Sequence, residues 1–272
     1  MRFIIEVGIL KCYVMIFPMI YPWYFFILAV GATVGSFLNV VALRYGTGQS
    51  PLAGRSLCPA CHRKLSVIDL VPVFSFIFLR GKCRTCRAKI SWQYLLVEIL
   101  TAVIFLLAFR SPLALAAWCV LIVIMIYDWR HKIIPDGWVL AFGLLTLAMA
   151  ILNNFAFTSD LFLALLWGPL FATPFFLFWY FSGGKWMGLG DAKLGLGLGW
   201  LLGASSVDAF LLTFLIGALV SLLIIGWQSW RKNQGRITIK SEVPFAPFLF
   251  AATFLVYFFN ISVFGLINNF FR

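Results

Sequence analysis

Charged residues are scarce in this chain, and acidic residues are the scarcest: Asp and Glu number 9 among 272 residues, and all charged residues together make up 11%. A soluble domain carries about 25% charged and about 45–50% apolar residues. Here apolar residues reach 63% and phenylalanine alone occurs 30 times. A bilayer accommodates that much apolar surface and the interior of a soluble fold does not. The composition predicts an all-α protein that crosses the membrane several times.

Apolar runs of the length that crosses a bilayer, roughly 17–25 residues, recur along the chain. We expect about eight transmembrane helices, although the second and sixth runs are short. The sixth is rich in glycine, which permits close contact between helices but weakens the helix prediction. The predicted spans are Tyr21–Leu43, Leu95–Phe109, Leu113–Tyr127, Trp138–Leu152, Leu161–Phe181, Ala192–Leu202, Val207–Trp227 and Phe245–Phe264.

The basic residues indicate how these spans are oriented. Eight spans place both termini on one side, and the opposite loops cover residues 44–94, 128–137, 182–191 and 228–244. With Lys193 included, these loops hold 17 of the 21 Lys and Arg residues. The positive-inside rule therefore places them in the cytoplasm. The net charge of +12 is explained as a topology signal, and no nucleic-acid partner is expected.

Two of the few carboxylates lie at the ends of predicted spans. Asp128 follows Tyr127, and Asp191 ends a Gly-Leu-Gly-Asp run that begins at Gly188. A carboxylate beside hydrocarbon costs several kcal/mol and marks a functional site by default. Since both aspartates fall at cytoplasmic ends, we expect them to form a pair that activates water, as in aspartic proteases.

The predicted loop of residues 44–94 contains two Cys-x-x-Cys pairs separated by 21 residues. Each pair bends the chain so that two thiolates face one tetrahedral ion, and four thiolates leave no open position on it. A reducing cytoplasm argues against disulfides, and a redox dithiol pair is the alternative. A loop of this size has little core of its own. We predict a structural Zn²⁺ bound by Cys58, Cys61, Cys83 and Cys86.

Taken together, these motifs resemble those of the bacterial type IV prepilin peptidases, which are membrane aspartic proteases of the GxGD class. The resemblance runs from about Gly35 to the C-terminus. It covers the Gly-Ser-Phe-Leu-Asn-Val segment at Gly35, the four cysteines, and the segments that carry Asp128 and Asp191. A proline pair at Pro244 and Pro247 is also similar, with alanine between them where the family usually has glycine.

The resemblance implies a bifunctional enzyme of the bacterial cytoplasmic (inner) membrane, embedded in lipid. Asp128 and Asp191 would be the catalytic residues that remove the leader from type IV prepilins or pseudopilins at the cytoplasmic face. The enzyme would then N-methylate the new N-terminus with S-adenosylmethionine. The sequence has no glycine-rich cofactor turn after a strand, so the cofactor-binding residues are unknown.

The implied domain organisation has four parts. Residues 1–20 are an uncertain apolar stretch, for which a cleaved signal peptide is poorly supported and a true start at Met15 or Met19 is at least as good an interpretation. Residues 21–43 form the first transmembrane helix. Residues 44–94 form the zinc-binding loop and candidate N-methyltransferase region, and 95–272 a seven-helix protease domain.

Other polar residues have both functional and structural interpretations. Asp136 rivals Asp128, but Pro135 separates them, which favours a capping role at the fourth span. Glu98 lies inside the second span and needs a polar partner, in an active site or in a structural hydrogen bond. Asp69 is a weak candidate for methyl transfer, with a solvated side chain as its alternative. We expect His62 to be solvated.

Three other functions fit parts of the pattern. A presenilin-like intramembrane protease shares the aspartate motifs, but this chain lacks a Pro-Ala-Leu motif near its last span. An ion-coupled transporter would use intramembrane carboxylates and glycine-rich short helices, but the chain shows no related second half. A zinc-bearing membrane scaffold would leave the paired aspartates unexplained.

Overall fold

In a computed structural model of the chain, the backbone is described for residues 2–154, 158–230 and 244–263, and the side chains for 22–154, 160–226 and 244–263. Within these residues the regular structure is helical, with two isolated β-bridges in the loop after the first helix. The helices are α1 (Arg2–Arg44), α2 (Phe74–Phe78), α3 (Trp92–Ala108), α4 (Pro112–His131), α5 (Asp136–Asn154), α6 (Thr158–Ser182), α7 (Leu189–Leu202), α8 (Ser206–Trp230) and α9 (Ala246–Phe259).

Among the described residues, five helical stretches have the length and apolar composition needed to cross a membrane. One of them, Leu189–Gly226, contains α7, a 3-10 turn and most of α8, and α3 and α9 are shorter apolar helices. Every helix except α2 overlaps one predicted span, which confirms the all-α multi-pass fold with a cysteine cluster between the first two spans. Helix α2 was not predicted, because five apolar residues within a loop carry no periodicity.

Two helix boundaries differ from the prediction in a way that matters for the aspartates. Helix α4 continues to His131 instead of ending at Tyr127, and α7 begins at Leu189 instead of Ala192. Basic residues in a last turn and an acidic residue in a first turn both complement the helix dipole. Asp128 and Asp191 therefore belong to helices and not to the loops beside them.

The chain divides into two compact units, Met1–Leu115 and Ala116–Arg272. In the first unit, α1 packs closely on α3 through two glycines one turn apart. A Cβ on Gly31 would lie 2.7 Å from Cβ of Phe105, and one on Gly35 would lie 2.8 Å from Oγ1 of Thr101. Because no side chain fits at either position, the two backbones approach as in other small-residue membrane contacts.

In the second unit, α7 packs between α5 and α6. A Cβ on Gly197 would lie 2.6 Å from the Phe142 ring of α5, and one on Gly195 or Gly199 would meet α6. Residues two apart face opposite sides of a helix, whereas residues four apart share a side. The alternating glycines of α7 therefore give it two flat faces, which accounts for the glycine content of this span.

Candidate active site and four-cysteine cluster

Asp128 lies in the last turn of α4 and is 5% exposed. Its Oδ2 accepts a hydrogen bond of 3.1 Å from the backbone N–H of Ala246, the first residue of α9. The first N–H groups of a helix have no partner within the helix, so α9 supplies a donor to the carboxylate. The donor belongs to the backbone, so this bond does not depend on which side chain stands at position 246.

Asp191 is the third residue of α7 and is 8% exposed. Its own N–H donates to the carbonyl oxygen of Gly188 at 3.2 Å, which forms the turn that starts the helix. The N-terminal end of a helix carries a partial positive charge that favours a carboxylate. Asp191 interacts electrostatically with Asp128, so the second unit brings the two predicted aspartates together.

Two contacts hold the start of α7 against the connection between α4 and α5. A Cβ on Gly190 would lie 2.9 Å from Cβ of Ile134, so the glycine is needed for this approach. Lys193 Nζ donates to Asp136 Oδ1 at 2.7 Å, and the Asp136 side chain is 76% exposed. Asp136 is the first residue of α5. It therefore joins the two aspartate-bearing segments at the protein surface.

The two Cys-x-x-Cys pairs fold in the same way. The N–H of Cys58 donates to Arg63 and the N–H of His62 donates back to Cys58; Cys83, Ala88 and Arg87 repeat this pattern. The residue after each second cysteine has a left-handed backbone, with φ of 53° at position 62 and 59° at position 87. Such a conformation costs a side-chain-bearing residue about 1–3 kcal/mol. Its repetition indicates that both turns are shaped for the same purpose.

The four sulfur atoms lie within 4.8 Å of one another, and the Sγ atoms of Cys58 and Cys86 are 3.8 Å apart. Sulfurs at about 2.3 Å from a tetrahedral zinc are separated by about 3.8 Å, so the cluster fits a metal ion. Backbone N–H groups of Cys86 and Thr85 lower the pKa of Cys83 to about 6. Backbone hydrogen bonds from Cys61 and Ala60 also lower the pKa of Cys58. In each turn the backbone therefore favours the thiolate of the first cysteine. At Cys86 a backbone hydrogen bond from Ala88 acts in the same direction, but burial and the neighbouring thiols outweigh it and raise the pKa to about 11.

Asp69 joins the two cysteine turns. Its side chain is 3% exposed and lies 2.7 Å from the guanidinium of Arg63 and 3.2 Å from that of Arg84. The Ser66 N–H and hydroxyl also donate to it. Burial would raise the pKa of the Asp69 carboxyl, but Ser66 and the two arginines outweigh burial and hold this pKa below its usual value. Of the two interpretations of Asp69, the solvated side chain is excluded, because the carboxylate is buried in ion pairs, whereas its candidacy for methyl transfer stays a prediction.

Glu98 finds its polar partners within the first unit. Its Oε2 accepts a 2.7 Å hydrogen bond from the N–H of Val73, and it also bonds with the Ser36 side chain. Nearby, the amide of Gln93 donates to the buried Asn39 at 3.3 Å. Sequence reasoning noted the segment at Gly35 only as a family motif and missed these roles. Ser36 and Asn39, two polar residues three apart beside Gly35 on an apolar helix, were the available signal.

The side chain of His62, in the first cysteine turn, is exposed, as expected for a solvated residue. Of the two cysteines outside the cluster, Cys119 is half-buried, and the side chain of Cys12 lies outside the described residues. Asp208 accepts hydrogen bonds from Ser262 and from the N–H of Val263, which anchors the end of α9 to α8.

The fold and the two sites define a class: a multi-pass membrane protein with a buried aspartate pair at helix ends and a four-cysteine cluster between its first two spans. The chain belongs to the type IV leader peptidase family, whose model matches residues 113–267. The bacterial peptidase A24 N-terminal domain matches residues 29–111.

Relatives named prepilin leader peptidase/N-methyltransferase match nearly the whole chain. The protein from Bacillus subtilis is 32% identical and the match covers 86% of this chain and 93% of the relative. The protein from Pectobacterium carotovorum is 31% identical over 93% of this chain and 96% of the relative. The Aeromonas hydrophila protein is 29% identical, with coverages of 84% and 88%. No solved structure matches this chain.

Proposed function

We propose that this protein removes the leader peptide of type IV prepilins or pseudopilins and N-methylates the new N-terminal residue. The observation that carries the proposal is the buried pair of Asp128 and Asp191 within the region that matches the leader peptidase family. The relatives' names add the methyl-transfer step.

Asp128 and Asp191 act as the catalytic pair in this proposal. Two neighbouring carboxylates shielded from water cannot both ionise cheaply, so they share one proton. The ionised partner takes a proton from water as the water attacks the scissile carbonyl carbon. The protonated partner donates to the carbonyl oxygen as the tetrahedral intermediate forms. The N–H of Ala246 holds the Asp128 carboxylate in place by a bond to Oδ2.

Methyl transfer rests on the relatives' names and on the family resemblance. S-adenosylmethionine is the proposed donor, and it supplies an electrophilic methyl group when bound. The amine that accepts this group must be unprotonated to act as the nucleophile. We assign no residue to the donor, since no described segment forms a strand followed by a glycine-rich turn and a helix.

The four cysteines would hold a structural Zn²⁺. Four thiolate ligands complete a tetrahedral site, so the ion would bind no water or substrate. Its binding free energy would instead stabilise the chain around it. The support is the sulfur spacing of 3.8 Å together with two identically folded turns.

We place the protein in the bacterial cytoplasmic membrane with the aspartate pair facing the cytoplasm. The distribution of Lys and Arg supports this orientation. The contact between Asp128 and Ala246 and the approach of Gly190 to Ile134 bring the end of α4 and the starts of α7 and α9 to one end of the second unit. All three helix ends therefore face the same side of the membrane in this proposal.

Purified enzyme incubated with a prepilin, with and without S-adenosylmethionine, tests both activities. We expect loss of the leader in both samples and the gain of one methyl group only when the donor is present, as measured by mass spectrometry. An intact prepilin in both samples contradicts the protease assignment. Cleavage without methylation removes only the second activity, since the two mass changes are separate.

A further inference from the structure

The short helix α2 and the residues before it expose a group of apolar side chains in the loop between α1 and α3. Phe78 is 81% and Val67 is 76% exposed, and Ile68, Phe74 and Ile77 are also exposed. We call these five side chains the α2 face. Soluble surfaces rarely carry a contiguous apolar patch without a binding function. Something therefore covers the α2 face in the working protein.

The opposite side of α2 is already packed. Phe76 is buried, and its ring centroid lies 5.0 Å from that of Trp92, the first residue of α3. A Cβ on Gly81 would lie 3.0 Å from the Phe76 ring. Helix α2 thus cannot rotate to hide Phe78 without exposing Phe76. A helix that is apolar all round needs an apolar environment on both sides.

A hydrogen bond fixes the position of α2 along α3. The N–H of Val73, which precedes α2, donates to Glu98 Oε2 at 2.7 Å. Glu98 follows Trp92 by six residues, which is about 9 Å along a helix. Interfacial helices bury their apolar face about 5–10 Å into the boundary between headgroups and acyl chains. The start of α2 lies at that depth if Trp92 marks the membrane surface, where tryptophan is enriched.

The charges around α2 suit a lipid surface. Arg80 and Lys82 follow α2 and are exposed, and exposed Lys89 precedes α3. The acidic residue of the loop, Asp69, is neutralised within its buried ion pairs. Basic residues beside a membrane attract anionic headgroups by about 1 kcal/mol each.

We propose that residues 67–78 form an interfacial anchor. The α2 face inserts into the acyl boundary of the bilayer, and Arg80, Lys82 and Lys89 bind anionic phospholipid headgroups. The anchor holds the four-cysteine cluster at a set distance from the membrane. This role does not depend on the enzymatic activity.

Photocrosslinking in native membranes tests the anchor. Phe78→p-benzoylphenylalanine keeps an aromatic side chain, and the same replacement at exposed, polar Gln49 is the control. We expect mass spectrometry to find phospholipid adducts at position 78 and none at 49. Absence of an adduct at position 78 overturns the proposal. So do adducts there with prepilin, with a second copy or with residues 116–272, since each shows that protein covers the α2 face.

The lipid class tests the role of the charges. In nanodiscs of mixed anionic and zwitterionic phospholipid, we expect anionic adducts at position 78 to exceed their bulk share. The double variant Arg80→Gln, Lys82→Gln should reduce this excess several-fold, on the order of fivefold for each residue. An unchanged anionic share in the double variant overturns the headgroup assignment.

Discussion

At the scale of single residues, the proposed chemistry requires the two carboxylates of Asp128 and Asp191 to act as one unit. We expect Asp128→Asn and Asp191→Asn each to abolish leader cleavage, because asparagine can neither accept a proton from water nor share one. The near-equal shape of asparagine should preserve folding and metal content. The double variant should be about as inactive as either single variant, as measured by prepilin cleavage.

Asp136→Asn is the matched control for these variants. Its side chain is exposed and paired with Lys193, and surface pairs contribute only about 0–1 kcal/mol, so substantial cleavage should remain. If Asp136→Asn is inactive while Asp128→Asn still cuts, the first catalytic aspartate is misassigned. Wild-type rates for both Asp128→Asn and Asp191→Asn would remove the aspartic-protease mechanism altogether.

The two glycines before Asp191 should respond differently to a methyl group. In Gly190→Ala the new Cβ would meet Ile134 at 2.9 Å, so α7 must move away and cleavage should fall by at least tenfold. In Gly188→Ala the new Cβ would lie 3.6 Å from Asp191 Oδ2, an ordinary contact, and the backbone at φ −75° and ψ 149° accepts alanine. Cleavage rates at equal expression compare the two. Equal losses would show that spacing at Ile134 is unimportant.

At the same scale, the sequence alone identified the two aspartates but not the contacts that position them. The aspartates stood out because a carboxylate in an apolar span is costly. The hydrogen-bond donor at Ala246 and the close approach of Gly190 to Ile134 could not be predicted, since both depend on which helix ends lie together in the fold. The burial of Asp69 was not predicted, because its partners, Arg63 and Arg84, lie on separate turns.

At the scale of elements, we expect the two cysteine turns to depend on a shared metal ion. We predict one tightly held Zn²⁺ per chain, measured by elemental analysis. Cys58→Ser should destabilise the loop more than it slows cleavage at the aspartates, because the ion fills no catalytic position. Metal-free protein with four freely alkylated thiols in its folded state would contradict the prediction.

Asp69 should stabilise the same element without binding the metal. Asp69→Asn removes the charge that pairs with Arg63 and Arg84, whose side chains are 33% and 48% exposed. Because water can solvate both guanidinium groups, the cost should be below the value of about 3–5 kcal/mol for breaking a fully buried ion pair. We expect faster metal loss to a chelator, whereas Cys119→Ser, a change in α4, should leave metal release unchanged. Wild-type release from Asp69→Asn would mean that the turns hold together without this link.

Elements of transmembrane length were predictable, because apolar runs of that length have few other uses. Their packing was not. The glycines of α7 indicated close contact but not its partners, and the two faces presented by Gly195 and Gly197 emerged only from the fold. Helix α2 was not predicted because its five residues carry no periodicity of their own. Its packing on Trp92 is visible only in the fold.

At the scale of the whole molecule, the boundary between the two compact units differs from the domain boundary expected from the order of the spans. The first compact unit ends at Leu115, and the first family model ends at residue 111 while the second begins at residue 113. Sequence reasoning assigned α3 to the protease region of 95–272. In the structure α3 lies with α1, because Gly31 and Gly35 leave room for it. Span length alone carries no information about such a partner.

The orientation of the second unit in the membrane can be tested at the two ends of α7, because residues on both sides of this helix are described. Helix α7 runs from Leu189 to Leu202, about 21 Å, with Lys185 before it and Ser205 after it. From outside intact cells, an impermeant thiol reagent should label Ser205→Cys but reach Lys185→Cys only after the membrane is opened. The wild-type chain controls for its native cysteines. Sites near Thr158 should also label from outside, whereas the predicted loop position Gly235, which lies outside the described residues, should not.

The opposite labelling pattern would reverse the whole second unit and not one loop. Asp128 bonds to Ala246, and Gly190 approaches Ile134, so the end of α4 and the starts of α7 and α9 share a side with Lys185. External labelling of Lys185→Cys would therefore place the aspartate pair outside the cytoplasm. A prepilin leader presented from the cytoplasm would then not reach the pair, and the basic-residue distribution would have failed as a guide to topology.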